Sequence, residues 1–134
     1  MIVIDLEGNS TNWLLTGNTS HARMLNKSKL HLRARNLLKE IHPTLQILEE
    51  IPIHVRRKEL LYLDFYIPLI KTCIEVHGEQ HYKFIGHYHG NRFNFIKAKQ
   101  RDVSKKEWCE LNNITHLELK FDQTDAQWKE VIEN

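Results

Sequence analysis

From position 28 onward, apolar residues recur first at helical spacing and then at strand spacing. Leu30, Ala34, Leu37, Leu38 and Ile41 fall within one narrow arc of a helical wheel. Ser28 is a suitable N-cap and Pro43 a stop, so the pattern predicts a helix over 28–41. Three strand-like runs follow in close succession, over 47–55, 60–68 and 70–77. The Arg56-Arg57-Lys58-Glu59 stretch reads as the first turn between them, Pro68-Leu69 marks the second, and Gly78 ends the third run. Residues 82–91 are aromatic and His-rich without periodicity, which predicts a loop. A helix is expected over 93–111, in one or two pieces, ending at Asn112-Asn113. The next strand, 115–121, alternates Leu117, Leu119 and Phe121 with His116, Glu118 and Lys120. A last helix over 124–132 turns Trp128, Val131 and Ile132 inward. Residues 1–26 read as a mostly polar extension with a short apolar start. The order is αβββαβα: an α/β domain over 28–134 with a mixed sheet flanked by helices, preceded by a polar and basic extension over 1–27.

Composition narrows the class. The chain has 134 residues, 41% hydrophobic and 27% charged, enough for one compact domain and too few for two. No apolar run approaches the roughly 18 residues of a membrane span, so no membrane partner is expected. The start, MIVIDLEGNS, lacks a basic region followed by a long apolar stretch, and Cys73 and Cys109 read as buried thiols. A cytoplasmic location follows as the expectation.

Net charge is only +2, but its distribution is uneven. No acidic residue occurs from Gly8 to Lys39, a stretch holding Arg23, Lys27, Lys29, Arg33, Arg35 and Lys39. On the first helix, His31, Arg35 and Lys39 make one flank and Lys29 and Arg33 the other, which predicts a basic outer surface. Lys27, Lys29, Arg33, Arg35 and Lys39 are therefore expected to contact a polyanion, through its phosphates if it is a nucleic acid. The plain alternative is a solvated helix face without a partner.

The chemistry concentrates in LYLDFYIPLIKTCIEVHGEQHYKF. Asp64 lies inside one strand and Glu75 inside the next, with Cys73, Glu75 and His77 on one face by alternation. Joined as a hairpin, the two strands bring the carboxylates together. A carboxylate pair in apolar surroundings needs compensation, and hard oxygen ligands suit Mg2+, with Mn2+ as a substitute. The competing reading is a pair of surface charges on the hairpin's solvent face. Gln80 and His81 follow where the chain leaves the sheet, within reach of a phosphate or a metal-bound water. His77, His81, His87 and His89 make only a weak case for a zinc group. Gly78 and the strand before it oppose a helix there, HGEQH is not HExxH, and no cysteine pair offers a structural site. An HNH-like site at His89 and Asn91 is equally weak. The aromatic residues read as core and loop anchors, and none is assigned to base stacking.

These residues resemble the PD-(D/E)-x-K nuclease superfamily, and among its members the phage-type homing endonucleases related to very-short-patch repair nucleases. The resemblance lies in Asp64-Phe65-Tyr66-Ile67-Pro68 and Glu75-Val76-His77-Gly78-Glu79-Gln80-His81. It continues in Arg101-Asp102, Lys105, Glu107-Trp108-Cys109-Glu110-Leu111-Asn112 and Ile114, and covers about residues 28–132. It implies a restriction-endonuclease-like αβββαβ core and a Mg2+-dependent endodeoxyribonuclease acting on double-stranded DNA. Asp64, Glu75 and the Val76 carbonyl would hold the ion, with Glu50, or Glu49, as a further acidic residue. Asp102 would join the site as in repair-type relatives, unless it only caps a helix. The family's lysine is replaced here by His77. Either the histidine takes its role, or Lys105 or Lys106 does from the following helix. The homing role rests on the resemblance alone. Two alternatives stay open: a catalytically weakened DNA-binding protein of the same fold, and a branched-DNA nuclease. One site per small domain makes a homo-oligomer the expectation for cutting both strands.

Overall fold

The computed structural model describes residues 1–15 and 28–134. The expected basic residues Arg23 and Lys27 lie outside them. In the order of the chain the elements are β1 (Ile2–Ile4), β2 (Ser10–Asn12), α1 (Lys29–Ile41), β3 (Leu48–Arg56), β4 (Glu59–Ile67), β5 (Thr72–His77), α2 (Gly86–His89), α3 (Arg92–Leu111), β6 (Thr115–Lys120) and α4 (Asp125–Glu133). The main sheet has the order β3-β4-β5-β6; β3, β4 and β5 are antiparallel neighbours, and β6 runs parallel to β5. It is a mixed sheet flanked by helices. No helix of the described residues is long and apolar enough to cross a membrane.

Local chemistry explains most boundaries. Ser28 caps α1 by accepting the His31 amide, and Thr124 with Gln127 forms a capping box on α4. Helix α3 is unbroken, capped by Asn91, and ends where Asn113 takes a left-handed φ of 58°. The third strand starts later than its sequence suggests. Residues Pro68–Ile70 form a 3-10 turn, and Lys71 adopts left-handed backbone before β5 begins. The expected loop over 82–91 contains the short helix α2, preceded by a 3-10 turn at Glu79–His81. Neither is long enough to show a 3.6-residue period in the sequence.

The first fifteen residues, expected as a polar extension, form an antiparallel hairpin instead. The Asp5 carboxylate closes its turn by accepting the amides of Glu7 and Asn9. Beyond it, Trp13 packs on Tyr66 and Trp108 with ring centroids 4.8 and 5.1 Å away, and its indole N–H donates to Pro52 O at 3.0 Å. Val3 and Trp13 thus belong to the same core as β3, β4 and the end of α3. A second core lies across the sheet, where Ala34, Leu37 and Leu38 of α1 meet Phe65, Ile74, Leu119 and Trp128.

The two cores meet at a phase shift in the sheet. In β3 the first core takes Leu48 and then Ile51, Ile53 and Val55; in β4 it takes Leu61 and Leu63 and then Tyr66. Strict alternation would keep one parity on each face, so the core-facing parity changes at the same level in both strands while their pairing register is kept. Glu50, at a left-handed φ of 50°, lies in one gap and Asp64 in the other. The flanking pairs Glu49↔Phe65 and Ile51↔Leu63 put these two at the same level.

Candidate active site

Strands β4 and β5 pair from Ile67↔Thr72 to Phe65↔Ile74 and then part. Beyond that point side chains replace the backbone ladder. The Asp64 amide donates to Glu75 Oε2 at 2.7 Å, and the Val76 amide donates to Asp64 Oδ2 at 2.8 Å. Each carboxylate is therefore anchored to the other's strand, in the fork where the strands separate. Glu75 is 1% exposed, while Asp64 is half-buried and lines an open cleft. Among the described residues, Asp64 Oδ1 has no hydrogen-bond partner.

Lys105 enters this fork from α3, with Nζ 2.9 Å from Glu75 Oε1. Burial first, and then the charge of Asp64, push the Glu75 carboxyl well above its ordinary range, against the pull of Lys105. Burial opposes the charge of Lys105 too, but Glu75 and then Asp64 outweigh it and hold its ammonium above the ordinary value. The two directions describe one situation: two negative charges face one positive charge in a poorly solvated place.

His81 and Asp102 make the adjoining wall. His81 Nδ1 and Asp102 Oδ2 are 2.8 Å apart. Burial alone would raise Asp102, but the bond and charge of His81 more than offset it, so its carboxyl titrates below the ordinary range. An ionised carboxylate only accepts, so Nδ1 carries the proton between the two groups and Nε2 is the nitrogen not engaged by Asp102. Lys99 Nζ fixes the same residue through its backbone oxygen at 2.7 Å. The cleft, about 340 Å3, is lined by Asp64, Gln80, His81, Arg101, Asp102 and Lys105, among others. Gln80 folds back over Gly78, where an added Cβ would lie 2.4 Å from Gln80 Oε1.

The remaining expected residues are placed differently. His77, the residue at the family's lysine position, is 5% exposed and stacks on His81 at 4.2 Å with an interplanar angle of 1°. It lines a separate hollow of about 230 Å3 with Lys106 and Glu118, not the cleft of Asp64. Lys106 is exposed there, so of the two lysines it is Lys105 that meets the carboxylates. The Val76 amide is tied to Asp64. Glu50 is exposed and is not among the residues lining the cleft. Its alternate, Glu49, is buried on the opposite side, gripped by Arg35 through two bonds of 2.7 Å and by His31 at 2.6 Å. Glu118, Tyr82 and Lys99 surround the two histidines and were not expected. The parallel register Glu75↔Glu118 follows only from tertiary pairing, which a single sequence does not display.

The expected basic face needs correction. Arg35 is 2% exposed, so His31 and Arg35 of the supposed outer flank point inward and tie α1 to β3. Phe65 stacks on His31 at 4.5 Å. Arg33 bonds to Asp125 and to Gln123 O, and its guanidinium lies 3.7 Å over the Trp128 ring, tying α1 to α4. Lys29 and Lys39 are exposed as expected. With Arg35 paired to buried Glu49 and the Arg33 guanidinium laid over buried Trp128, the inward-facing arc is wider than the leucine pattern shows.

No protein-family model matches the chain, and no solved structure matches it. It is similar to "Uncharacterized protein 307L" of Invertebrate iridescent virus 6, with 40% identity over 65 residues, 48% of this chain and 33% of the relative. It is also similar to "Uncharacterized protein 094L" of Frog virus 3 (isolate Goorha), with 34% identity over 68 residues, 50% of this chain and 44% of the relative. A third relative, "Uncharacterized protein 033L" of Invertebrate iridescent virus 3, is 30% identical over 61 residues, 46% of this chain and 31% of the relative. The chain spans less than half the length of each of these relatives.

Proposed function

We propose that the chain is a Mg2+-dependent endodeoxyribonuclease with a restriction-endonuclease-like core. The observation that carries this reading is the strand fork, where Asp64 and Glu75 are cross-anchored and Lys105 reaches Glu75. The donor set suits a hard divalent ion. One negative charge remains after Lys105 is counted, and Asp64 Oδ1 stays without a partner beside an open cleft. Asp64 and Glu75 would hold the ion, with the Val76 carbonyl as the third oxygen implied by the family resemblance. When bound, such an ion polarises a phosphodiester oxygen and acidifies a water.

The chain's own residues supply the rest. Lys105 and Arg101 line the cleft with positive charge for the phosphate, and Lys105 opposes the charge that builds up in the transition state. Asp102 holds His81 in the tautomer whose Nε2 takes or returns a proton. Double-stranded DNA is the proposed substrate, and a homo-oligomer the proposed form for cutting both strands. A homing role remains the narrower version of this proposal.

The test is incubation of the chain with supercoiled, linear and branched DNA, in magnesium, manganese or chelator, with the cut ends mapped. Metal-dependent cleavage that disappears in Asp64→Asn is expected. Binding without cleavage in either metal would replace the proposal with a DNA-binding protein. Cleavage confined to branched DNA would narrow it to a junction nuclease.

A further inference from the structure

The stacked histidines lie beside, not inside, the carboxylate fork. His77, His81 and Asp102 each offer a ligand atom, and these atoms all lie within 4.8 Å of one another. The sequence argued against zinc because no helix could bring His77 and His81 together. The 3-10 turn at Glu79–His81 brings them together instead, and the third group is Asp102 of α3, not His87 or His89.

A second, separate observation concerns His77. At 5% exposure, its Nδ1 has only distant neighbours, the Tyr82 hydroxyl at 3.5 Å and Glu118 Oε2 at 3.6 Å. These are at or beyond the limit of a hydrogen bond. A buried imidazole nitrogen held only by two such long contacts is weakly satisfied and has lone-pair capacity to offer an ion. Two imidazoles and a carboxylate make a borderline donor set, which suits zinc or cobalt and not magnesium.

We infer that His77, His81 and Asp102 form a transition-metal site for Zn2+, with the Glu118 carboxylate, 3.6 Å from His77 Nδ1, as its neighbour. Tetrahedral ligands at about 2.1 Å stand roughly 3.4 Å apart, so binding draws the three groups closer than their present spread of up to 4.8 Å and turns the two rings out of their parallel stack. The ion takes the place of the proton shared by His81 and Asp102, and that proton is released to solvent. Binding does not depend on the nuclease reading. If that reading holds, zinc withdraws His81 from the cleft and slows cleavage.

The test is titration of the full chain with Co2+ alone, followed in the visible spectrum, and then displacement by Zn2+. Intense tetrahedral cobalt bands attributable to one ion per chain are expected, bleached by zinc; cobalt in the oxygen-lined carboxylate fork would be six-coordinate and absorb only weakly. The side chain of His81 is 24% exposed, so His81→Gln is the variant that best keeps the fold, and it should weaken binding by more than about tenfold. His77→Gln, checked for folding by circular dichroism, should do the same. Asp64→Asn should bind cobalt as the wild type does. Absent bands, or unchanged affinity in folded His81→Gln, overturns the inference. Loss of the bands in Asp64→Asn overturns it too, because the ion would then sit in the carboxylate fork. DNA cleavage is not read in this experiment, so failure of the zinc site and failure of the nuclease proposal are separate results.

Discussion

Asp64 carries two opposed duties. Its Oδ2 replaces a ladder bond by accepting the Val76 amide, yet its charge raises the buried Glu75 carboxyl. Asp64→Asn keeps an acceptor for that amide and removes the charge. In chelator, the variant should melt at or above the wild-type temperature; with magnesium present, its cleavage should fall by at least about 10²-fold. Differential scanning calorimetry beside the DNA assay checks both, and a strongly lowered melting temperature would show that the charge itself holds the fork. His77 gives a pH signature. Burial, and then His81, hold its pKa below the ordinary 6.5, against the pull of Asp102 and Glu118. A depressed pKa means that the native state binds fewer protons than the unfolded chain. The stability it contributes is present above 6.5 and is lost as pH falls through the native value. Removing metal and comparing urea midpoints of wild type and His77→Gln between pH 7 and 5 isolates this, since the other titrating groups are common to both. The variant should lose less stability on acidification, and parallel pH curves would contradict the assignment.

At the scale of elements, α1 decides how basic residues should be interpreted. Its helix, cap and leucine arc follow the sequence pattern, and Lys39 is exposed as expected. Arg35 is not, because Glu49 of β3 waits for it across the interface. Arg35→Gln should destabilise the fold by about 3–5 kcal/mol, the effect of leaving one buried charge without its partner. Lys39→Gln should leave stability unchanged and lower the salt dependence of DNA binding by about one unit if it touches a phosphate. Chemical denaturation and fluorescence anisotropy across a salt series separate the two roles. Strand and helix order was legible for the same reason that Arg35 was not. Periodicity reports which face of an element is apolar, whereas an ion pair between Arg35 and Glu49 depends on which elements become neighbours. The same limit applies at the site. Asp64 and Glu75 could be read from two adjacent strands, but the choice of Lys105 over Lys106 and His77 needed the rotation of α3 against the sheet.

At the scale of the molecule, the hairpin of β1 and β2 closes the first core. Three-residue strands are too short to show alternation, and so the sequence pattern concealed them. Trp13 fills the space between Tyr66 and Trp108, and Trp13→Ala should cost about 3–5 kcal/mol. Deleting residues 1–15 should lower the melting temperature at least as far; a truncated chain as stable as the whole would show that the hairpin is dispensable to the fold.

The fork between β4 and β5 also places two reporters at the site. Most amides of a sheet face a neighbouring strand and are indifferent to charge. Those of Asp64 and Val76 instead donate to the two carboxylates that would receive an ion. Their proton resonances therefore register the electron demand on Asp64 and Glu75, while amides farther along the β4–β5 ladder stay almost still. If the carboxylate pair takes up an ion, the molecule carries its own titration indicator in the backbone, and a nuclear magnetic resonance spectrum would follow that uptake with no substrate present.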